Sequence, residues 1–99
     1  MKTKKEEYIS KMTRDLGEWS KAIEAYKVRA SRGPIDLQSD YDQSIRNLQE
    51  KRDLLSSKLR ELQKSDVDAW TIPEPGVETA KHELRDAFEE ARYTVKKAA

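Results

Sequence analysis

Apolar side chains recur at alternating steps of three and four residues through residues 9–30, ISKMTRDLGEWSKAIEAYKVRA. Steps of this kind are typical of the a and d positions of a heptad repeat, which lie along one side of an α-helix. The residues of this first stripe are Ile9, Met12, Leu16, Trp19, Ile23, Tyr26 and Ala30. Because helices with such stripes bury them against one another, the segment predicts an all-α, coiled-coil-like protein.

Two further stripes follow in the 99-residue chain. The second consists of Tyr41, Ile45, Leu48, Leu55, Leu59 and Leu62. The third consists of Val77, Ala80, Leu84, Ala87, Phe88, Ala91 and Val95. The third stripe is rich in alanine and buries little area, so we expect its helix to dock onto the first two rather than to be stable alone.

The first helix is predicted to run from about residue 4 to residue 32. Thr3 and Glu6 have the spacing of a capping box, in which the hydroxyl accepts from the third helical amide and the carboxylate accepts from the cap amide. Gly17 lies inside this helix, where it would let another helix approach closely. At the other end, we expect Gly33 to take the left-handed conformation that ends many helices.

The second helix is predicted over about residues 34–70, because Pro34 suits the first position of a helix. An alternative is one long kinked helix over residues 4–66, since the apolar stripe resumes beyond the Gly-Pro pair. A proline-rich connector is predicted at 71–75, followed by a third helix at about 75–97. The favoured arrangement is an antiparallel three-helix bundle, a coiled-coil hairpin with a third docking helix, in a single domain over residues 1–99.

Composition narrows the function classes. Charged residues make up 39% of the chain, but 20 Lys and Arg nearly balance 19 Asp and Glu, so no overall positive field favours nucleic acid. Cysteine is absent, which excludes disulfides, thiolate catalysis and cysteine-based zinc sites. The charged N-terminal segment leads into no apolar run typical of a secretory signal. We therefore expect a cytoplasmic protein without nucleic-acid partners.

Few side chains suggest a site. Glu78, His82 and Asp86 are spaced four residues apart on one helical face and could in principle bind a metal ion, although this spacing is more typical of a solvated charged face. We predict no catalytic, cofactor-binding or metal-binding residues. Two residues are candidates for partner contact: Trp70, which lies just before the connector, and Arg52, which interrupts the second stripe at an a position.

The chain resembles a family of small bacterial coiled-coil proteins described as stress-response proteins and typified by a cyanobacterial member. The segments that carry the resemblance are residues 7–9, 16–19, 41–45, 48–53, 68–70, 76–78, 83–84 and 87–88. None of them is a catalytic signature. The resemblance implies a helical, non-enzymatic, stress-associated protein.

Together these observations predict a non-enzymatic scaffold or protein–protein interaction module without a cofactor. Its partner would be another protein or a second copy of the chain in a homodimer. The alternative function is peripheral binding to a membrane surface through amphipathic helices.

Overall fold

The structure, a computed structural model, describes residues 3–65 and 74–97. Its elements are α1 (Lys4–Ser31), a short 3₁₀ helix (Ile35–Leu37), α2 (Gln38–Lys64) and α3 (Pro75–Lys97). The all-α class is confirmed, and the described residues contain no strand.

The first two α-helices form an antiparallel hairpin. The Lys5 ammonium, in the first turn of α1, donates to the Ser65 carbonyl oxygen at 2.6 Å, directly after α2. The chain must therefore reverse direction between the helices, at the Gly33-Pro34 junction. The alternative of one kinked helix over residues 4–66 is wrong.

Helix α3 runs parallel to α1. The Tyr8 hydroxyl donates to Glu78 at 2.6 Å near the start of both helices, and further along both helices the rings of Trp19 and Phe88 stack with centroids 4.8 Å apart. The result is an up-down-up bundle with extents of 51 × 21 × 17 Å. Helix α2 packs closely on both neighbours, whereas α1 and α3 meet mainly through side chains.

All three apolar stripes contribute to one continuous core, against which the half-buried stripe residues Ile9, Leu16, Trp19, Ile45 and Val95 also pack. Its buried members are Met12, Ile23, Tyr26, Ala30, Tyr41, Leu48, Leu55, Leu59, Leu62, Val77, Ala80, Leu84, Ala87, Phe88 and Ala91. Each fully buried leucine or isoleucine contributes about 1.5–3 kcal/mol. This burial explains how a chain so rich in charge folds. None of the helices in the described ranges carries an apolar run long enough to cross a bilayer.

The start of α1 follows the predicted cap in part. The Thr3 hydroxyl oxygen accepts from the Glu6 amide at 3.1 Å, as expected. The Glu6 carboxylate, however, accepts from the same hydroxyl at 3.3 Å, where the capping box would have it accept from the Thr3 amide. Both contacts lie at the surface, and they fix where the helix begins.

The hairpin turn differs from the expectation for Gly33. Its backbone lies outside the left-handed region, so the predicted reason for glycine is wrong. Glycine is needed because the Tyr41 ring packs against it: a Cβ atom would collide with the ring and lie 2.9 Å from its hydroxyl oxygen. The Gln38 side-chain amide completes the turn by donating to the carbonyl oxygens of Ala30 at 3.0 Å and Gly33 at 3.1 Å.

Helix α2 is shorter than predicted at both ends. Pro34 precedes the 3₁₀ helix, and α2 itself begins at Gln38. It ends at Lys64, six residues before the predicted end at 70, because Ser65 takes an extended conformation with φ −77° and ψ 150°. Residues 71–73 of the connector predicted at 71–75 lie outside the described residues.

Two glycine variants test the packing of the turn. We expect Gly33→Ala to lower the free energy of unfolding by about 1–3 kcal/mol, because the fully buried Tyr41 ring cannot move away. Gly17→Ala is the matched control. A Cβ at Gly17 would meet nothing within 4 Å, so the prediction that another helix approaches closely at Gly17 is wrong. Because alanine favours the helix more than glycine does, we expect Gly17→Ala to stabilise α1 by about 0.5–1 kcal/mol. Urea unfolding followed by circular dichroism measures both, and a neutral Gly33→Ala would contradict the proposed contact.

Candidate functional site

A groove lies between α1 and α3, where the two helices are held apart by their side chains. Its volume is about 390 Å³. We call it the α1/α3 groove, and its lining residues are Asp15, Glu18, Trp19 and Ala22 of α1 with Lys81 and Arg85 of α3. The lining spans about two turns of α1, because seven residues rise about 10 Å along a helix.

The floor of the α1/α3 groove is aromatic. Trp19 stacks on Phe88 at an interplanar angle of 31°, and this contact bridges α1 and α3. Phe88 is buried, whereas Trp19 stays half-buried and lines the groove with its remaining surface. Half-buried tryptophans with a rigid base are the kind of side chain that anchors protein contacts.

The two walls of the groove carry opposite charge. Asp15 and Glu18 supply two carboxylates on α1, and Lys81 and Arg85 supply two cations on α3. Within the described residues none of these four forms an ion pair, although Lys51 of α2 pairs with Glu83 of α3 at 3.6 Å. Opposite charges therefore face each other across the groove without direct contact.

A second concavity, of about 680 Å³, lies between α2 and α3. Its lining residues are Asp40, Gln43, Ser44, Arg46, Asn47, Glu50, Ala87, Glu90 and Thr94. Apart from one alanine, these residues are polar, so this surface has no aromatic or aliphatic anchor. The α1/α3 groove is accordingly the stronger candidate for binding.

At the opposite end of the bundle from the turn, a buried carboxylate caps α3. Glu74 accepts from the amides of Gly76 at 3.0 Å and Val77 at 2.8 Å, which satisfies two free N–H groups and places negative charge at the positive end of the helix. Sequence reasoning missed this cap. The signal was present, because Glu74 directly precedes Pro75, a residue suited to the first helical position.

Tyr8 ties α1 to this end of α3. Its hydroxyl donates to the Glu78 carboxylate at 2.6 Å. Burial raises the pKa of Tyr8 well above its ordinary value, and the hydrogen bond and negative charge of Glu78 raise it further. The phenol therefore stays protonated and keeps its role as donor.

Tyr26 is a second tyrosine whose hydroxyl is buried. Its ring meets Tyr41 edge-on with centroids 6.5 Å apart, and its buried hydroxyl has no hydrogen-bond partner among the described residues. Burial raises the pKa of Tyr26, and the neighbouring Ser44 side chain lowers it in part. This hydroxyl is buried at some cost, since an unpaired donor loses its hydration.

The metal-site hypothesis finds no support in the geometry. His82 and Asp86 are exposed, and Glu78 accepts from Tyr8. Across residues 3–65 and 74–97, no three His, Asp or Glu side chains are placed to hold a metal ion.

The structure describes only one of the two residues predicted for partner contact. The Arg52 side chain is 27% exposed, and its guanidinium binds the neighbouring Asp53 carboxylate at 3.1 Å instead of entering the core. Its role in partner contact stays a prediction. Trp70 lies outside the described residues.

Comparison with known proteins adds no relative. No family model, curated protein or solved structure matches this chain. The resemblance to small bacterial stress-response proteins therefore stays a prediction, and the class defined by the structure is that of an antiparallel three-helix bundle.

Replacement of Tyr8 by phenylalanine tests the contact with Glu78. At neutral pH we expect Tyr8→Phe to lower the free energy of unfolding by about 1 kcal/mol, because Glu78 loses its donor. Above a pH of about 10 the unfolded tyrosine ionises while the folded one stays protonated, so the stability contributed by Tyr8 is lost as pH rises. The difference between the two proteins should then shrink, as measured by urea unfolding from neutral to alkaline pH.

Tyr26→Phe is the control. Its buried hydroxyl has no hydrogen-bond partner among the described residues, so we expect its removal to change the stability at neutral pH by less than about 0.5 kcal/mol, or to increase it. Equal losses in the two variants would contradict a specific role for the Tyr8 contact.

Proposed function

We propose that this chain is a non-enzymatic helical interaction module, a scaffold that holds a protein partner in the α1/α3 groove. The observation that carries the proposal is the groove itself, in which half-buried Trp19 lies between an acidic wall and a basic wall. A groove that follows two parallel helices has the shape that accepts a third, amphipathic helix.

The chemistry of the groove supports binding with defined orientation. Trp19 offers aromatic surface that is already fixed by its stack on Phe88, so little side-chain entropy would be lost when a partner covers it. The charged walls contribute less to affinity, because an exposed ion pair is worth about 0.2–1 kcal/mol. Their arrangement instead sets which partner fits and in which direction.

The surroundings of the buried polar groups support a non-enzymatic role. Lys5 binds the carbonyl of Ser65 at the end of α2, and Glu74 caps the start of α3. Tyr8 holds the Glu78 carboxylate. These contacts all join or end helices, which gives each of these ionisable groups a structural task.

The biological setting in this proposal is a cytoplasmic, stress-associated one. Its support is the resemblance to small bacterial stress-response proteins, together with a formal net charge of +1 that attracts neither nucleic acid nor anionic surfaces strongly. The proposal includes no metal ion and no cofactor.

Photo-crosslinking in cells tests the module. Ala22 is exposed and lines the α1/α3 groove, so a benzophenone amino acid placed there should crosslink to a protein partner. Ser57, exposed on α2 away from both concavities, is the matched control position. Denaturing electrophoresis should show a shifted band for Ala22 alone. Absence of any band, or equal bands at both positions, would reject the groove as a protein-binding site.

A second candidate function is contact with an anionic membrane, and the hairpin turn favours it. Ile35 is 88% exposed and Val28 is 53% exposed near the same end of the bundle, and Arg29 and Arg32 are exposed beside them. Exposed apolar side chains at the same end of the bundle as exposed cations are suited to a lipid interface. One isoleucine contributes only about 1.5–3 kcal/mol on burial, so this contact alone would be weak.

Flotation with vesicles tests whether the hairpin turn binds an anionic membrane. If the turn binds membranes, the protein should float at low salt with vesicles that contain phosphatidylserine, and Ile35→Ser should abolish flotation. Ser39→Ala, at another exposed position near the turn, is the control that should leave it unchanged. Protein that remains at the bottom of the gradient at low salt would exclude the candidate.

A further inference from the structure

We infer that the occupant of the α1/α3 groove is a second copy of this chain, bound with its own groove facing the first and with the two bundles parallel. The inference rests on the proposed function, because it names the partner of the same groove. It follows from the charges on the two walls and from the symmetry of a dimer.

A homodimer formed through one surface has a two-fold axis, so each wall must meet a wall of the second copy. If the axis runs along the helices, rotation brings the α3 wall of one copy opposite the α1 wall of the other. Lys81 and Arg85 then face Asp15 and Glu18 twice, once on each side of the axis. Every charge in the groove gains an opposite charge.

If the axis runs across the helices, the same rotation gives the opposite result. Each wall then meets its own counterpart, so carboxylates face carboxylates and cations face cations. Like charges placed opposite each other disfavour an interface. The charge pattern therefore selects the parallel arrangement over the antiparallel one.

The remaining lining fits close approach of a second copy. Ala22 is exposed and small, which leaves room beside Trp19 for a side chain of the other copy. The four charges have no ion-pair partner in the described part of the chain, so dimerisation breaks no ion pair that these side chains make in the monomer. A second copy also has the rod shape needed to lie along the groove.

Sedimentation velocity of the full chain tests the inference. We expect a monomer–dimer equilibrium whose dimer fraction rises with protein concentration and falls with salt, since the contacts are between exposed charges. A purely monomeric protein at millimolar concentration and low salt would overturn it.

Charge reversal of one wall is the decisive variant. Lys81→Glu/Arg85→Glu makes both walls acidic, and Asp15→Lys/Glu18→Lys makes both walls basic. Each should weaken dimerisation at least about tenfold, because symmetry repeats every altered contact. In an antiparallel dimer each wall faces its own counterpart, so reversal would leave the dimer unchanged, and that result would overturn the inference.

Mixing and recombination restore the complementarity. The acidic and basic variants should form a mixed dimer when combined, and the protein with all four substitutions should dimerise as the natural chain does.

Arg46→Glu/Arg60→Glu is the control, because it changes the net charge by the same amount as Lys81→Glu/Arg85→Glu at exposed positions of α2. Circular dichroism checks that each variant keeps its helices. Lys81→Gln/Arg85→Gln, with a smaller expected loss, replaces any reversal variant that unfolds.

The crosslinking experiment at Ala22 separates failure of this inference from failure of the proposed function. A crosslinked product of twice the 11.5 kDa chain mass supports the second copy. A product of another mass, with a chain that stays monomeric when purified, overturns the second copy and leaves the interaction module standing. Absence of a product together with a monomeric chain overturns both.

Discussion

Helix α2 is the shared partner of the other two helices, and the rest of the structure depends on this arrangement. Its Leu48, Leu55 and Leu62 are fully buried, and α2 packs on both α1 and α3. The alanine-rich stripe of α3 lets that helix lie close to α2. Because α1 and α3 both follow α2 and touch each other mainly through side chains, a groove remains between them.

Polar contacts set the ends of the bundle, where burial alone does not specify the register. The Lys5 ammonium binds the carbonyl oxygen of Ser65, the residue directly after α2, and the Tyr8 hydroxyl binds Glu78 near the start of α3. At the other end Gln38 holds the carbonyls of the turn and Tyr41 packs on Gly33. These contacts fix how far each helix slides along its neighbours, and so they bring Trp19 to the position of the groove.

The α1/α3 groove is lined by two kinds of side chain that are not fully buried in the apolar core: a large aromatic residue, Trp19, and charged residues. Trp19 is only half-buried, and it remains partly open beside its contact with Phe88. In the sequence, the charges beside it are indistinguishable from the rest of a balanced, highly charged composition. A composition with nearly equal numbers of acidic and basic residues hides this arrangement, because separation of charge onto two walls is a property of position.

The periodicity of apolar residues by itself determined the helical class and the three stripes. Local signals in the sequence also determined the start of α1 at Lys4, directly after the Thr3 cap, and the start of α3 at Pro75. Tertiary structure decided the rest. Gly33 is required by the Tyr41 ring and not by its own backbone, and α2 is shorter than its pattern suggests. The charged side chains of the two groove walls lie more than sixty residues apart in the chain. Such features depend on which helices become neighbours in space, and a one-dimensional pattern does not contain that information.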